Sequence, residues 1–352
     1  MSKIETSYFK VESGVTECHA MVHTSLPSRI YSVQLEDIQC GLGRFLDENK
    51  TLKPAFMRFF VSDITTQDVV SEAGCPVSVI EQPPLDGSAV ALWVYLKSSE
   101  AGHYRHLWTA GMSHPEGDLY GQTATLLRGY ADSLTREGLS FADNCVRTWI
   151  FVRDIDHNYQ DVVRARREFF ASQGLTEHTH YIASTGIAGN GRETASGVVI
   201  DAYAVGGLQA GQQRYLHAPT HLNPTHEYGV TFERGVVVEY GDRSHIFISG
   251  TASINNRGEI VHPGDIEGQT RRMLENIEAL LNEADASFDD VMMMIVYLRN
   301  SSDYVSVNAV FDSRFPTIPK VITLAPICRP GWLVETECIA VKRTENKAFK
   351  VL

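Results

Sequence analysis

The chain repeats itself, and that repetition constrains its fold more than any other feature. Residues 114–123 read HPEGDLYGQT, and residues 262–270 read HPGDIEGQT. A short strand closing on glycine precedes each copy, His106-Leu-Trp-Thr-Ala-Gly111 in the first and Ile246-Phe-Ile-Ser-Gly250 in the second. Each copy is followed by apolar residues at helical spacing: Leu126, Leu127, Tyr130 and Leu134, then Met273, Leu274, Ile277, Leu280, Leu281 and Ala284. Next, Ser140-Phe-Ala-Asp143 matches Ser287-Phe-Asp-Asp290, and the strands VRTWIFVRD (146–154) and MMMIVYLRN (292–300) follow. A second helix is predicted from near Tyr159 to Phe170 and from near Tyr304 to Phe315, then a closing strand, Val198 to Val205 and Val334 to Val341. So many matches in one order predict two copies of one structural unit.

A third trace lies at the N-terminus. Met57-Arg-Phe-Phe-Val-Ser-Asp63 is like the VRTWIFVRD strand, and Cys75 to Leu96, with the turn Pro83-Pro-Leu-Asp-Gly87, is like the closing hairpin of the other copies. Three units are therefore expected: 1–100, a degenerate unit with an eroded first half; 101–210; and 211–352. Gly206 to Asn223, rich in Gly, Gln, Pro and His, reads as an ordered loop joining the two better copies. Gly186-Ile-Ala-Gly-Asn-Gly191 reads as a hairpin turn.

A length of 352 residues suits two or three domains, and 43% hydrophobic against 21% charged residues fits a chain with a real core. Acidic residues outnumber basic ones by 43 to 31, a net charge of −12. That balance argues against nucleic-acid backbone or anionic membrane as partner. An anionic ligand would need arginines gathered locally against the overall field. The start MSKIETSYFK lacks the basic-then-apolar pattern of a signal peptide, and the longest apolar run, Val291 to Leu298, is too short to span a bilayer. A cytoplasmic location is expected.

Six scattered cysteines (18, 40, 75, 145, 328 and 338) contain no C-x-x-C pair, so free, mostly buried thiols are expected rather than zinc ligands or disulfides. Pro219 interrupts His217-x-x-x-His221, and His178-x-His180 has no acidic partner. No dinucleotide or phosphate-loop glycine motif occurs. Neither a metal nor a cofactor is expected.

The matched elements resemble the RidA/YjgF family, small trimeric proteins with clefts between subunits. The resemblance is best from about Tyr228 to Arg343. It rests on Phe247-Ile-Ser-Gly250, Gln269-x-x-x-x-Leu274-Glu-Asn276, Val307-Asn-Ala-Val-Phe311 and Glu335-Thr-Glu-Cys-Ile-Ala-Val341. It implies an α+β fold of tandem units, each a mixed β-sheet with two helices on one face, arranged as an intramolecular pseudo-trimer. Deaminating relatives hold the substrate carboxylate with an arginine, and Ile318-Pro-Lys-Val321 puts Lys320 there, a point charge in place of a bidentate fork. The glutamate of the last strand is kept as Glu335, whereas the first copy has Val199.

The fused length, with Val146-Arg-Thr-Trp-Ile150, Tyr228-Gly-Val-Thr-Phe-Glu-Arg-Gly235, Ser249-Gly-Thr-Ala-Ser253 and Cys328-x-x-Gly331-x-x-x-Glu335, resembles the chorismatases. These enzymes remove pyruvate from chorismate without a cofactor. The resemblance implies that Glu335 is the general acid on the enol ether. It further implies that Cys328 marks the branch forming 3-hydroxybenzoate, whereas hydrolytic members give a dihydroxycyclohexadiene carboxylate.

Strand alternation puts Glu335 on one face with Leu333, Glu337 and Ile339, and an acid there is costly unless paired or used. Glu337 reads as structural, paired with an arginine. A dicarboxylate such as chorismate calls for bidentate arginines, and Arg147, Arg214 and Arg234 are the candidates. For Arg147 an internal ion pair is an equal alternative; Arg153 reads as a solvated strand end. Tyr215 is a candidate for orienting a substrate hydroxyl or carboxylate, against simple packing. Gly250 ends a strand where backbone approaches a ligand, which puts Ala252 on the pocket wall. The competing readings are an enamine or imine deaminase, disfavoured by Lys320, and a non-catalytic small-molecule binder. Both a monomer and a homotrimer are compatible with the repeat.

Overall fold

A computed structural model of the chain describes residues 2–12, 14–69, 74–98 and 102–352. It contains three mixed sheets. The first is built from β1 (Lys3–Phe9), β2 (Glu17–His23), β3 (Lys53–Val61), β4 (Val77–Glu81) and β5 (Val90–Lys97), with α1 (Tyr31–Glu48) after β2. The second contains β6 (Arg105–Ser113), β7 (Cys145–Val152), β8 (Ala183–Ala188) and β9 (Val198–Gly206). Its helices are α2 (Leu119–Arg136), the one-turn α3 (Phe141–Asn144) and α4 (Ile155–Ser172). The third contains β10 (Gln213–Leu216), β11 (Gly235–Glu239), β12 (Arg243–Ala252), β13 (Val291–Leu298), β14 (Lys320–Leu324) and β15 (Val334–Arg343), with α5 (Ile266–Glu283) and α6 (Tyr304–Arg314).

The sheets share one plan. Strand orders are β1-β2-β5-β3-β4, β6-β9-β7-β8 and β10-β11-β12-β15-β13-β14. In each, the last strand inserts antiparallel beside a parallel pair: β3 with β4, β7 with β8, β13 with β14. Such parallel pairs need a crossover, and α4 and α6 supply it in the second and third sheets. Between β3 and β4 no helix occurs among the described residues. Among the described residues the N-terminal sheet thus has one helix instead of the expected two. Its expected eroded first half is present as β1, β2 and α1, and the boundary at 100/101 lies outside the described residues.

Two local expectations are corrected. Part of the segment 206–223 is the edge strand β10, where Arg214 pairs with Val237 and Leu216 is buried. Gly186 lies inside β8, which runs parallel to β7 and is separated from β9 by it, so 186–191 does not close a hairpin.

Every residue of β7, β9 and β13 is buried, because helices cover one face and the other sheets cover the other. The inner faces of the first and second sheets meet at Phe56, Trp93, Trp108 and Trp149, whose ring centroids lie 4.6 to 6.4 Å apart. A buried arginine–carboxylate pair joins each two sheets: Arg58 to Asp201 at 2.8 Å, Arg147 to Glu337 at 2.5 Å, and Arg243 to Glu17 at 2.6 Å. Mating the sheets in another order would strand these charges, at about 3–5 kcal/mol each. Among the described residues no helix is long and apolar enough to cross a membrane.

Candidate active site

Glu335 is the second residue of β15, paired with Ala252 of β12 on one side and Tyr297 of β13 on the other. Between Ile248 and Thr251 the β12–β15 register slips, so Ser249 and Gly250 together oppose Glu337. This bulge presses the Gly250 backbone against the neighbouring acid. A side chain at Gly250 would overlap the Glu335 carboxylate and come within 3.0 Å of Thr185 Cγ2. Glycine is required here by close approach.

The two glutamates of β15 have different surroundings. Glu337 accepts from Trp149 Nε1 at 2.6 Å, from Arg147 Nη2 at 2.5 Å and from the Thr185 hydroxyl. Arg147 also donates to Thr185 Oγ1 at 2.5 Å and Ser249 Oγ at 3.2 Å. Glu335 has no such cage and is only 3% exposed. Burial pushes its pKa up to about 8, and repulsion from Glu337 adds to this, against smaller opposing pulls from Arg147 and Arg234. At neutral pH its carboxyl holds a proton.

Glu335 opens onto a cleft between the second and third sheets. Helix α4 contributes Tyr159 and Arg166, strand β8 contributes Ser184 and Thr185, and the approach to β11 contributes Phe232 and Arg234. The opposite wall holds Gly250, Ala252, Cys328, Arg329 and Trp332. Arg234 is anchored by the Asn223 carbonyl at 2.9 Å and the Asn223 side-chain oxygen at 3.1 Å. Burial pushes the Cys328 thiol up to about 12, so it stays protonated.

The cleft therefore brings together five of the residues expected from sequence: Glu335, Cys328, Arg234, Gly250 and Ala252. Three others lie elsewhere. Arg147 is locked into the Glu337 cage and is absent from the cleft wall. Arg214, 40% exposed, donates to the Glu283 carbonyl at 2.8 Å and lies near Glu239 and Asp285 in a separate surface cleft. Tyr215 stacks on His180 at 4.5 Å, outside the lining. The expected convergence of Arg147, Arg214 and Arg234 does not occur; Arg166, Arg234 and Arg329 take that place.

Lys320 is also displaced from its expected role. The parallel edge strand facing Glu335 is β8, not β14, and Lys320 lines a different cleft. Its ammonium contacts the Phe315 carbonyl at 3.2 Å and Asp312 at 3.3 Å. The identity of residue 320 therefore says nothing about chemistry at Glu335. Arg166 had a signal in the sequence: it falls on the stripe Tyr159, Val162, Arg166 and Phe170, a lone cation on the buried face of α4. Arg329 and Trp332 carried no such signal, since they lie in a loop.

Comparison with known proteins places the third sheet in a family. The endoribonuclease L-PSP family model matches residues 234–342. A RutC family protein of Pyrococcus abyssi is 39% identical over 100 residues, 28% of this chain and 78% of that one. The 3-aminoacrylate deaminase RutC of Acinetobacter baylyi is 35% identical over 97 residues, 27% of this chain and 77% of that one. The crystal structure of a chorismatase superposes with a TM-score of 0.67 at 21% identity, over 82% of this chain and 93% of that one, so the likeness in fold extends well beyond the third sheet. With a RidA/YjgF-like fold and a sequence match centred on the strands that carry Glu335, the chain belongs to the RutC family.

Proposed function

We propose that this protein is a chorismatase that converts chorismate to 3-hydroxybenzoate and pyruvate. The observation that carries the reading is a carboxyl holding its proton at neutral pH, Glu335, enclosed in a cleft with the guanidinium groups of Arg234, Arg166 and Arg329. An acid of that kind, beside receptors for anions, matches an enol ether dicarboxylate. Glu335 delivers its proton to the terminal methylene carbon, which places positive charge on the ether-bearing carbon and weakens the bond between the ether oxygen and the ring. The three-carbon unit leaves as pyruvate while the neighbouring ring hydroxyl bonds through its oxygen to the carbon being vacated, giving an epoxide. The epoxide opens by breaking the oxygen's original carbon bond, so the oxygen stays on the vacated carbon. That carbon's hydrogen leaves as a proton as the ring becomes aromatic, with no net uptake of water. That proton restores the Glu335 carboxyl. The likeness in fold to a chorismatase supports the same reading.

Cys328 is assigned to product choice. A protonated thiol is a weak hydrogen-bonding group and holds a water poorly against the developing cation. This favours the intramolecular route over the hydrolytic one, which would add water and yield a dihydroxycyclohexadiene carboxylate. The units 1–100, 101–210 and 211–352 are proposed to act as the three members of one pseudo-trimer, with a single equipped cleft, because Val199 replaces the acid in the second. A monomer by size-exclusion with light scattering is the expected state.

The direct experiment is incubation with chorismate and measurement of pyruvate together with the aromatic product. Pyruvate and 3-hydroxybenzoate in equal amounts are expected. Release of the diene diol instead would move the protein to the hydrolytic branch, and no pyruvate above background would overturn the reading.

A further inference from the structure

Arg58, Arg147, Arg166 and Arg243 are all fully buried. Three of them meet a carboxylate: Asp201, Glu337, and Glu17 with Asp242. Arg166 meets none among the described residues. Its partners are two neutral hydroxyls, Thr231 Oγ1 at 3.2 Å from Nε and Ser184 Oγ at 3.4 Å from Nη1. Its Nη2 is buried with no partner. Arg58 also leaves one nitrogen, Nη1, unpartnered, yet its charge is met by Asp201.

A guanidinium keeps its charge at any physiological pH, so it cannot escape burial by losing a proton. A buried cation without a counter-charge opposes folding, whereas one aimed into a ligand cleft finds its counter-charge when the ligand binds. Arg166 lines the same cleft as Glu335. Glu335 does not neutralise it, because the carboxyl there keeps its proton.

We infer that Arg166 is the receptor for a ligand carboxylate, specifically one carried directly on a six-membered ring, with a second, side-chain carboxylate falling to Arg234. The receptor follows from the unmatched charge; the division between ring and side chain rests on the chorismatase reading. In chorismate the carbon to be protonated and the side-chain carboxylate belong to the same three-carbon unit. That carboxylate must therefore lie near Glu335, and Arg234 is the cleft arginine whose field acts on Glu335. Arg234 stands beside the Ser249–Gly250 bulge that abuts Glu335, its carbonyl accepting from Ser249 N at 3.0 Å, whereas Arg166 is held on α4 by Thr231 and Ser184, and the ring end is assigned to it.

The test is calorimetric titration of the full chain with 3-hydroxybenzoate and, separately, with pyruvate. Arg166→Met should weaken hydroxybenzoate binding about 10- to 100-fold, the value of a charge-assisted hydrogen bond, and leave pyruvate binding unchanged. Arg166→Lys should recover part of the loss. Without ligand, Arg166→Met should melt at a higher temperature than the wild type, because it removes an unmatched buried charge. Arg58→Met, which strands Asp201, should melt lower. Unchanged hydroxybenzoate affinity in Arg166→Met, or destabilisation like that of Arg58→Met, overturns the inference, as does failure of the wild type to bind hydroxybenzoate. Loss of pyruvate binding in Arg166→Met overturns the division between the two arginines. A wild type that binds hydroxybenzoate but releases no pyruvate from chorismate removes the chorismatase reading and leaves the carboxylate receptor standing.

Discussion

Gly250 lies so close to the carboxyl of Glu335 that no side chain fits between them. The contact exists because a bulge in β12 sets two residues against one of β15, and it holds the acid on the wall of the cleft. Backbone geometry on one strand thus positions the buried carboxyl on the next.

Gly250→Ala should displace the Glu335 carboxyl and lower chorismate turnover at least 10-fold. Overpacking of this kind costs about 1–3 kcal/mol, so the thermal midpoint should fall while the chain still folds. Turnover measured at a temperature where the variant is fully folded separates the two effects.

The rate should depend on pH through Glu335. Its pKa is raised to about 8, so the proton-donating form is present below that value and is lost above it. The turnover number should be level through neutral pH and then fall, approaching about tenfold per pH unit well above 8. Glu335→Gln should abolish turnover at every pH yet still bind hydroxybenzoate. A linked stability effect has the same origin: the unfolded chain ionises this carboxyl from its ordinary value of 4.5, the folded chain only near 8. Stability should decline between those pH values in the wild type and decline less in Glu335→Gln, as read by denaturant titration.

Arg147→Met should act on folding more than on ligand affinity. It leaves Glu337 buried without its ion pair, a loss of about 3–5 kcal/mol. The double variant Arg147→Met with Glu337→Gln should recover most of that loss. Denaturant titration of the four proteins measures the coupling.

Cys328→Ala should change the product more than the rate. Replacing the thiol with a smaller group opens space beside Glu335 for a water. The dihydroxycyclohexadiene carboxylate should then appear alongside 3-hydroxybenzoate in the chromatogram. A product mixture identical to wild type would remove Cys328 from product choice.

Arg214→Ala should leave turnover within about twofold of wild type. Its guanidinium is partly exposed near Glu239 and Asp285, and such surface pairs are worth about 0–1 kcal/mol. A large loss of activity would mean that β10 reaches the cleft in solution.

Much of the fold was legible because its signals are local and repeated. The period of Met273, Ile277, Leu280 and Leu281 marks a buried helix face, and the run from Val291 to Leu298 marks a strand covered on both sides. Glu335 was legible as an acid on an apolar strand. The lack of a helix between β3 and β4 among the described residues was not, since nothing in the N-terminal sequence shows which half of a faded repeat survives. Arg147 could be read either way from sequence, because a buried guanidinium looks the same whether its carboxylate comes from Glu337 or from a ligand.

By itself, then, the sequence determined the repeated unit and the strand and helix order of its two clearer copies, and it offered Glu335, Gly250, Ala252, Cys328 and Arg234 as site candidates together with Arg147, Arg214 and Tyr215. Only the tertiary structure decided which arginines complete the site. The cleft lies between two sheets, and its opposite walls come from α4 at residue 166 and from β15 at residue 335. Sequence periodicity shows which face of a helix is buried, but not which sheet buries it. That depends on how the three sheets mate, and the pairs Arg58–Asp201, Arg147–Glu337 and Arg243–Glu17 join residues between 143 and 226 positions apart.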